Sequence, residues 1–416
     1  MARIIVVGGG AAGMMAAISA AELGAEVIII EGNERLGRKL GITGKGRCNL
    51  TNNSDIDNFM RNIPRNARFL YSALSAFNAQ DTMEYFEGLG VSLKTERGQR
   101  VFPVSDKAGD VVRALTERIG QLGIKVVRGR VTGLIIEESR CAGVVCRGES
   151  RKADAVIVAA GGMSYPLTGS NGAGYELAKQ AGHSIVDPLP SLSALKTEQK
   201  WVSGAAGLNL RNIAMSLYDK QSGKRIYEDF GELLFMEDGI SGPTVLSASA
   251  HIPAIERGRY AVKIDLKPAL SEKQLDARIL RDFSERRGKR FGESLRGLLP
   301  AELIGAAVEL SEIPPEKKVD EITKEERKRF AALLKGLSLD IADFRPIEEA
   351  IVTRGGVSVG EISPKTLESK LCGGLYFAGE MIDVDGYTGG FNLQIAFSTG
   401  RAAGRAAAER VNENRQ

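Results

Sequence analysis

An α/β fold built on a parallel sheet is predicted by three observations. A short apolar run, Arg3 to Val7, leads through Gly8-Gly9-Gly10-Ala11-Ala12-Gly13 into an alanine-rich stretch that ends near Leu23. Two later runs, Asp154 to Gly162 and Gly374 to Glu380, repeat the pattern of a buried strand closing on glycine. Between these two the pattern changes twice, first to short alternating segments and then to charged helical ones, as insertions into a sheet would.

The opening unit carries its own logic. An apolar run bounded by glycines suits a strand buried on both faces. The helix expected from about Ala12 to Leu23 stops at Gly24, which suits the residue after a C-cap. A second strand, Glu26 to Ile30, closes on Glu31. This strand–turn–helix–strand order is the context that a Gly-x-Gly-x-x-Gly turn needs to bind a dinucleotide. Gly8 permits the tight turn, Gly10 lets a pyrophosphate approach the backbone, and Gly13 lets helix and strand pack closely. The helix N-terminus offers N–H groups and partial positive charge to phosphates. Glu31 stands at the distance of about 20 residues where an acid accepts ribose hydroxyls; its charge would repel a 2′-phosphate, so the site is expected to take FAD or NAD rather than NADP.

The segment Gly37 to Asn52 separates the first two of these. It is basic and glycine-rich, with small hydrogen-bonding side chains, and a simple NAD dehydrogenase would continue here into another helix and strand. Such a loop suits a larger ligand, with Arg38, Lys39 and Arg47 expected at phosphate or flavin oxygens. Ile124 to Arg128 and a β-rich stretch from Val131 through Val145 follow. Together with Ala159-Ala160-Gly161-Gly162 and Gly374-Leu375-Tyr376-Phe377-Ala378-Gly379-Glu380, these pieces resemble the three signatures of glutathione-reductase-like FAD domains. Ala-Ala-Gly stands for Ala-Thr-Gly and Gly-Glu for Gly-Asp, and neither change removes the backbone logic, so Ala160 and Gly161 join the cofactor-binding set.

Composition limits the remaining choices. At 416 residues two or three domains are expected, and an apolar share of 43% allows a sizeable core. A net charge of +4 is too weak to point to a nucleic-acid partner. The four cysteines, Cys48, Cys141, Cys146 and Cys372, are too sparse for a disulfide scaffold. With only His183 and His251, neither a metal site nor a Ser-His-Asp triad is expected. The first residues read as a strand rather than a leader, and no apolar run approaches the ~18 residues of a membrane span. A cytoplasmic protein with a small-molecule substrate is expected, with oligomeric state left open.

After Pro188 and Pro190 short strands such as Ala214 to Tyr218 and Tyr260 to Ile264 alternate with turns. From Lys267 the chain turns helical and charged, with Leu275, Ile279 and Phe283 marking one buried face. The expected division is a discontinuous cofactor domain over 1–190 and 346–416, an inserted β-rich domain over 191–266 and 311–345, and a helical subdomain over 267–310. Cys141 and Cys146, five apart on one strand, are expected on opposite faces, which disfavours disulfide chemistry. Gly169 to Gly174 precedes a helix but follows no strand, so no second full dinucleotide fold is expected. His183, just after Gly182, reads as a capping or packing residue.

Three blocks, GRKLGITGKGRCNLTN, GGMSYPLTGSNGAGYELAKQAGH and TRGGVSVGEISPKTLESKLCGGLYFAGEMIDVDGYTGGFNLQIAFSTGRAAG, together resemble the BaiN-like family of bacterial flavoproteins. That family includes aminoacetone oxidases and bile-acid enone reductases, and the resemblance runs from residue 1 to about 408. It implies a split FAD domain carrying an inserted β-domain and a helical piece. By position it implies that Gly8, Gly10, Ala12, Gly13 and Glu31 hold the adenosine and pyrophosphate half. To these it adds Arg38, Lys39, Gly46, Arg47 and Cys48, with Val131 at adenine through its backbone and Gly379, Glu380, Asn392 and Gln394 along the ribityl chain and flavin. The helix expected after Gly389-Gly390-Phe391-Asn392 would bring a positive dipole end toward the flavin.

The Thr353-Arg354-Gly355-Gly356-Val357 turn is also similar to fumarate-reductase-like flavoproteins, which reduce activated C=C bonds. Arg354 and Tyr165 are the candidates for substrate contact and proton donation, with Arg354 better suited to anchoring a carboxylate or carbonyl than to acid duty. The leading expectation is an FAD-dependent reductase of an activated C=C bond, of a 3-oxo-enone or bile-acid-like kind, with NADH or NADPH as electron donor. The alternatives are an amine oxidase that makes peroxide and an FAD protein that acts on RNA.

Overall fold

The computed structural model describes residues 3–413. They divide into two compact units, one formed by the described residues up to 191 together with those from 346 on, and one by 192–345.

The first unit is a Rossmann-type sheet. Strand β1 (Arg3–Val7) runs into helix α1 (Ala11–Ala21), strand β2 (Glu26–Glu31), helix α2 (Ala108–Gln121) and strand β3 (Lys125–Arg128). Strand β4 (Ala155–Val158), helix α3 (Ala173–Gln180), strand β5 (Val352–Val357), strand β6 (Leu375–Phe377) and helix α4 (Phe391–Glu413) follow. The parallel order is β6-β4-β1-β2-β3. Ile4 to Val7 pair in register with Ala155 to Val158 on one side and with Val27 to Ile30 on the other. All four apolar residues of β1 are buried, as a central parallel strand demands.

The long C-terminal helix α4 lies backbone-close on α1. A Cβ at Gly400 would come within 2.3 Å of Ala12 O, and one at Gly404 within 2.2 Å of Ala16 O. Glycine on one helix facing alanine on the other is therefore what brings α4 onto α1.

The second unit contains a closed barrel of six strands in the order Leu195–Thr197, Gly239–Ser241, Lys224–Met236, Asn209–Asp219, Tyr260–Asp265 and Leu337–Phe344. The structure differs from the expected β-rich span 311–345. Residues 311–335 hold the end of one helix, Ala301–Ser311, and all of another, Lys324–Lys335, so only Leu337–Phe344 returns to the barrel. The physical reason lies in the core: Phe330, Ala331 and Leu334 pack with Leu275, Ile279, Phe283 and Phe291 in one helical cluster. Capping boxes at Ser271/Gln274 and Thr323/Glu326 start two of these helices.

The two cysteines of Arg140–Cys146 are also placed differently from expectation. Ile135 pairs with Gly143 while Ile136 pairs with Cys141, so Ala142 is bulged out. One extra residue reverses the side-chain parity, and both thiols are fully buried. All four cysteines are free thiols. Among the described residues, no helix is long and apolar enough to cross a membrane.

Candidate functional site

The turn after β1 is shaped by close approaches and one open space. Gly8 has φ +102°, and a Cβ there would sit 2.5 Å from Ala159 O. A Cβ on Gly13 would sit 1.9 Å from Gly8 O, which fixes helix to strand. A Cβ on Gly10 would meet nothing within 4 Å. Glycine at that position is thus not demanded by the protein's own packing, and the space beside it is free for a ligand.

The charge at this point is also right for a pyrophosphate. The first bond within α1 runs from Met14 N to Gly10 O (2.9 Å), ahead of which Ala11, Ala12 and Gly13 have no partner inside the helix. No side chain caps α1, and no acid stands in its first turn. Glu31, at the end of β2, accepts from Gly9 N (2.7 Å) through Oε2 and from Asn33 N (2.7 Å) and Asn33 Nδ2 (2.8 Å) through Oε1. A carboxylate accepts about four such bonds, so Oε2 keeps room for a ribose hydroxyl. These residues fit the nucleotide half of FAD.

The basic loop divides its cations. Lys39 Nζ donates to Ser164 Oγ (2.6 Å) and pairs with Glu380 Oε2 (2.6 Å). Arg38 Nη1 donates to Asn33 Oδ1 (2.9 Å). Arg47, expected at phosphate or flavin oxygens, is engaged elsewhere: it pairs with Glu96 and with Asp106 (2.6 Å), and its guanidinium lies 4.2 Å over the Phe102 ring. Its bond to Glu96 holds that carboxyl below the usual range. The Cys48 side chain is fully buried, and burial pushes its thiol up to about 12, so only its backbone could meet a cofactor. A Cβ at Gly46 would meet nothing within 4 Å.

Glu380 is the junction of the site. Besides Lys39 it accepts from Ser164 Oγ (2.9 Å) and Thr353 N (2.8 Å) through Oε1. Thr353 Oγ1 in turn accepts from Met163 N (2.8 Å) and Ser164 N (3.0 Å). The stretch after β4 is thereby stitched to β5. Gly162 has to be small, because a Cβ there would lie 2.5 Å from Thr353 Oγ1, and Gly161 (φ +75°) faces Ser170 in the same way. Ala160 is half-buried beside them, and Val131 is half-buried at the start of Val131–Glu137. Gly379 donates its N–H to Thr399 Oγ1 (3.0 Å) at φ +74°, with Ala12 Cβ 2.7 Å from where its own Cβ would be.

The Thr353–Ser164 bonds bring together the neighbourhoods of the two expected catalytic residues. Arg354 follows Thr353 on β5 and is 4% exposed. Tyr165 follows Ser164, half-buried, at φ +54° and ψ +59°, with its N–H bonded to Glu348 O (3.1 Å).

The two residues of α4 expected along the flavin use their side chains within the protein. Gln394 is wholly buried. Its Oε1 accepts from Thr51 Oγ1 (2.6 Å), and its Nε2 donates to Phe77 O (3.0 Å), Thr82 Oγ1 (2.8 Å) and Ser398 Oγ (3.0 Å). A side-chain amide with that many internal partners is a structural junction. Asn392 holds its own preceding loop, accepting from Gly386 N (2.8 Å) and donating to Gly386 O (2.7 Å).

Sequence reasoning missed Asn33, Ser164, Thr353 and Thr399, whose roles depend on partners more than 100 residues away in three of the four cases. It also missed the acidic loop before α4. There Asp385 is fully buried against Arg65 (2.6 Å) and Ser191 Oγ (2.6 Å). Burial pushes the carboxyl of nearby Asp383 up, against an Asn66 Nδ2 bond of 2.9 Å. Burial also raises the Tyr175 phenol, with Glu380 and Asp383 adding to the shift.

Comparison with known proteins agrees with this geometry. Residues 2–406 match the family described as HI0933-like protein Rossmann domain. The chain is 36% identical over 418 residues to a 3-dehydro-bile acid delta(4,6)-reductase of Clostridium scindens, covering 99% of this chain and 100% of that one. It is 29% identical over 404 residues to a ribosomal RNA dihydrouridine synthase of Haemophilus influenzae, covering 96% of each. Its fold resembles that of a 3-ketosteroid delta1-dehydrogenase from Sterolibacterium denitrificans, with a TM-score of 0.52, 14% identity, and 99% of this chain and 100% of that one covered.

Proposed function

This chain belongs to the HI0933-like Rossmann-domain family and is an FAD-dependent oxidoreductase, and on that footing we propose that it reduces an activated C=C bond of a small enone with NADH or NADPH as electron donor. The observation that carries the reading is the pair of hydrogen bonds that Thr353 Oγ1 accepts from Met163 N and Ser164 N, which sets Arg354 and Tyr165 on adjoining segments. The full-length likeness to a bile-acid reductase supports a 3-oxo-enone, steroid-like substrate class.

The chain's residues divide the work. The α1 N-terminus and Gly10 receive the pyrophosphate, and Glu31 receives the ribose. Lys39 and Glu380 stand where the ribityl end is expected. FAD held there would supply the two-electron reducing chemistry that saturating an enone requires. Arg354 anchors the substrate's carbonyl or carboxylate, a task that its permanent charge suits. The Tyr165 hydroxyl donates the proton that completes the saturated product, and solvent restores it.

A second reading is favoured by the 29% identity to an rRNA dihydrouridine synthase. A uracil ring also holds a carbonyl-conjugated C=C, so the same anchoring and proton donation would serve it. The net charge of +4 counts against an RNA-sized partner.

Anaerobic titration separates these readings. The proposal expects NADH or NADPH to bleach the purified protein and a 3-oxo-enone to restore its colour. Recolouring by a uridine-containing rRNA but by no enone would move the assignment to RNA. In a parallel assay under air, peroxide formed stoichiometrically from an amino ketone, with no anaerobic bleaching by NADH or NADPH, would overturn it in favour of an oxidase.

A further inference from the structure

We infer that Asn33 is a positioning residue that couples the nucleotide-holding end of the site to the turn carrying Tyr165. The inference rests on the reading that FAD occupies the α1 turn. Asn33 uses its whole side chain. Nδ2 donates to Glu31 Oε1 (2.8 Å) and to Thr168 O (2.9 Å), while Oδ1 accepts from Arg38 Nη1 (2.9 Å). A carboxylate and a carbonyl only accept, and a guanidinium only donates, so these partners fix the orientation of the amide. Three parts of the chain meet there: the end of β2, the basic loop and the 165–169 turn.

The turn it grips is a strained one. Tyr165 lies at φ +54° and ψ +59° directly before Pro166. A bulky residue is rarely left-handed, and a residue before proline is normally extended, so this conformation costs on the order of 1–3 kcal/mol. Local bonds hold it, with Thr168 N (2.8 Å) and Thr168 Oγ1 (2.7 Å) donating to Tyr165 O and Gly169 N donating to Pro166 O (3.0 Å). The one bond in this set that reaches the nucleotide end is Asn33 Nδ2 to Thr168 O. Gly169 has been kept small against it: at φ +109°, its Cβ would lie 2.6 Å from Asn33 Nδ2.

The consequence is directional. A ribose on Glu31 steadies the carboxylate, the carboxylate steadies the Asn33 amide, and the amide steadies the turn that aims Tyr165. Cofactor occupancy at one end thereby sets the proton donor at the other.

Hydrogen exchange over residues 163–172 tests this in the full chain. In the wild type, FAD should slow exchange at Thr168 and Gly169 about tenfold, the factor of roughly one net hydrogen bond. ADP, which lacks the isoalloxazine ring, should give the same protection, because the route runs through Glu31. In Asn33→Ala, still loaded with FAD, the protection should vanish, and kcat should fall about tenfold with substrate KM within about twofold. Asn33→Asp, which keeps the size but turns an acceptor toward Glu31 and Thr168 O, should behave likewise if the alanine variant does not fold. Protection by FAD but none by ADP, or protection that survives in both variants, would overturn the inference. A wild type that binds neither ligand would instead remove the reading beneath it.

Discussion

Lys39 Nζ and Glu380 Oε2 stand 2.6 Å apart, although 341 positions separate them in the chain. Each side chain is about one-fifth exposed, so this pair is partly withdrawn from water and closes the basic loop onto the end of β6. Replacing Glu380 by Gln should remove the charge partner of Lys39 and weaken the bonds from Ser164 Oγ and Thr353 N. A loss of about 1–3 kcal/mol follows, together with lower FAD content after gel filtration. Thermal unfolding checks it, at roughly 2–4 °C per kcal/mol for a unit of this size.

Gly10 and Gly13 should fail in opposite ways. Gly10→Val places its side chain in open space, so the protein should fold but emerge with little FAD. Gly13→Ala drives its Cβ to 1.9 Å from Gly8 O, so the protein should unfold or aggregate with or without added FAD. Circular dichroism and flavin absorbance on both variants separate the outcomes.

Arg354→Lys should lower kcat about 10–100-fold, the equivalent of one charge-assisted hydrogen bond, with FAD content unchanged. Tyr165→Phe should lower kcat about 10²–10⁴-fold, as loss of a general acid does. Steady-state kinetics on FAD-loaded protein reads both, and loss of FAD in either variant would assign that residue to scaffolding.

His183 makes the first unit acid-sensitive. Ser369 Oγ accepts from Leu371 N (3.0 Å) and Cys372 N (2.9 Å), so its own hydrogen goes to His183 Nε2 (2.7 Å), leaving Nδ1–H for Glu361 (3.2 Å). Burial lowers the imidazole below its ordinary 6.5, and this outweighs the opposing pull of Glu361. A depressed histidine contributes stability that is present above the unfolded value and lost as pH falls through the folded one. Urea midpoints should therefore drop below about pH 6.5, and His183→Gln should flatten that slope.

The parts of this protein carried by backbone were legible in the sequence, and the parts carried by distant side chains were not. Gly8, Gly10 and Gly13 announce their turn because spacing and apolar context are local. The runs at 155–158 and 375–377 announce strands of the parallel sheet for the same reason. The barrel's last strand falls inside the expected 311–345 β-rich segment, but its start is hidden, since Leu339 finds Val262 only after the helices of 272–335 have intervened. Gln394 is placed along the flavin by the family resemblance alone, and its side-chain bonds to Thr51, Phe77 and Thr82 do not show in the sequence because they depend on how α4 packs. For Arg47 the charge is visible in the sequence, but its partners Glu96 and Asp106 are not, since they lie about fifty and sixty residues on. The Cys141 parity error came from one bulged residue at Ala142.

FAD binding at the α1 turn is what the proposed function depends on. The most direct measurement is the visible spectrum of freshly purified protein, with chromatography of the nucleotide released on denaturation. The expected result is a yellow protein that releases about one FAD per chain and loses it in the Gly10→Val variant. Protein that is colourless as purified and still colourless after incubation with excess FAD would contradict the account.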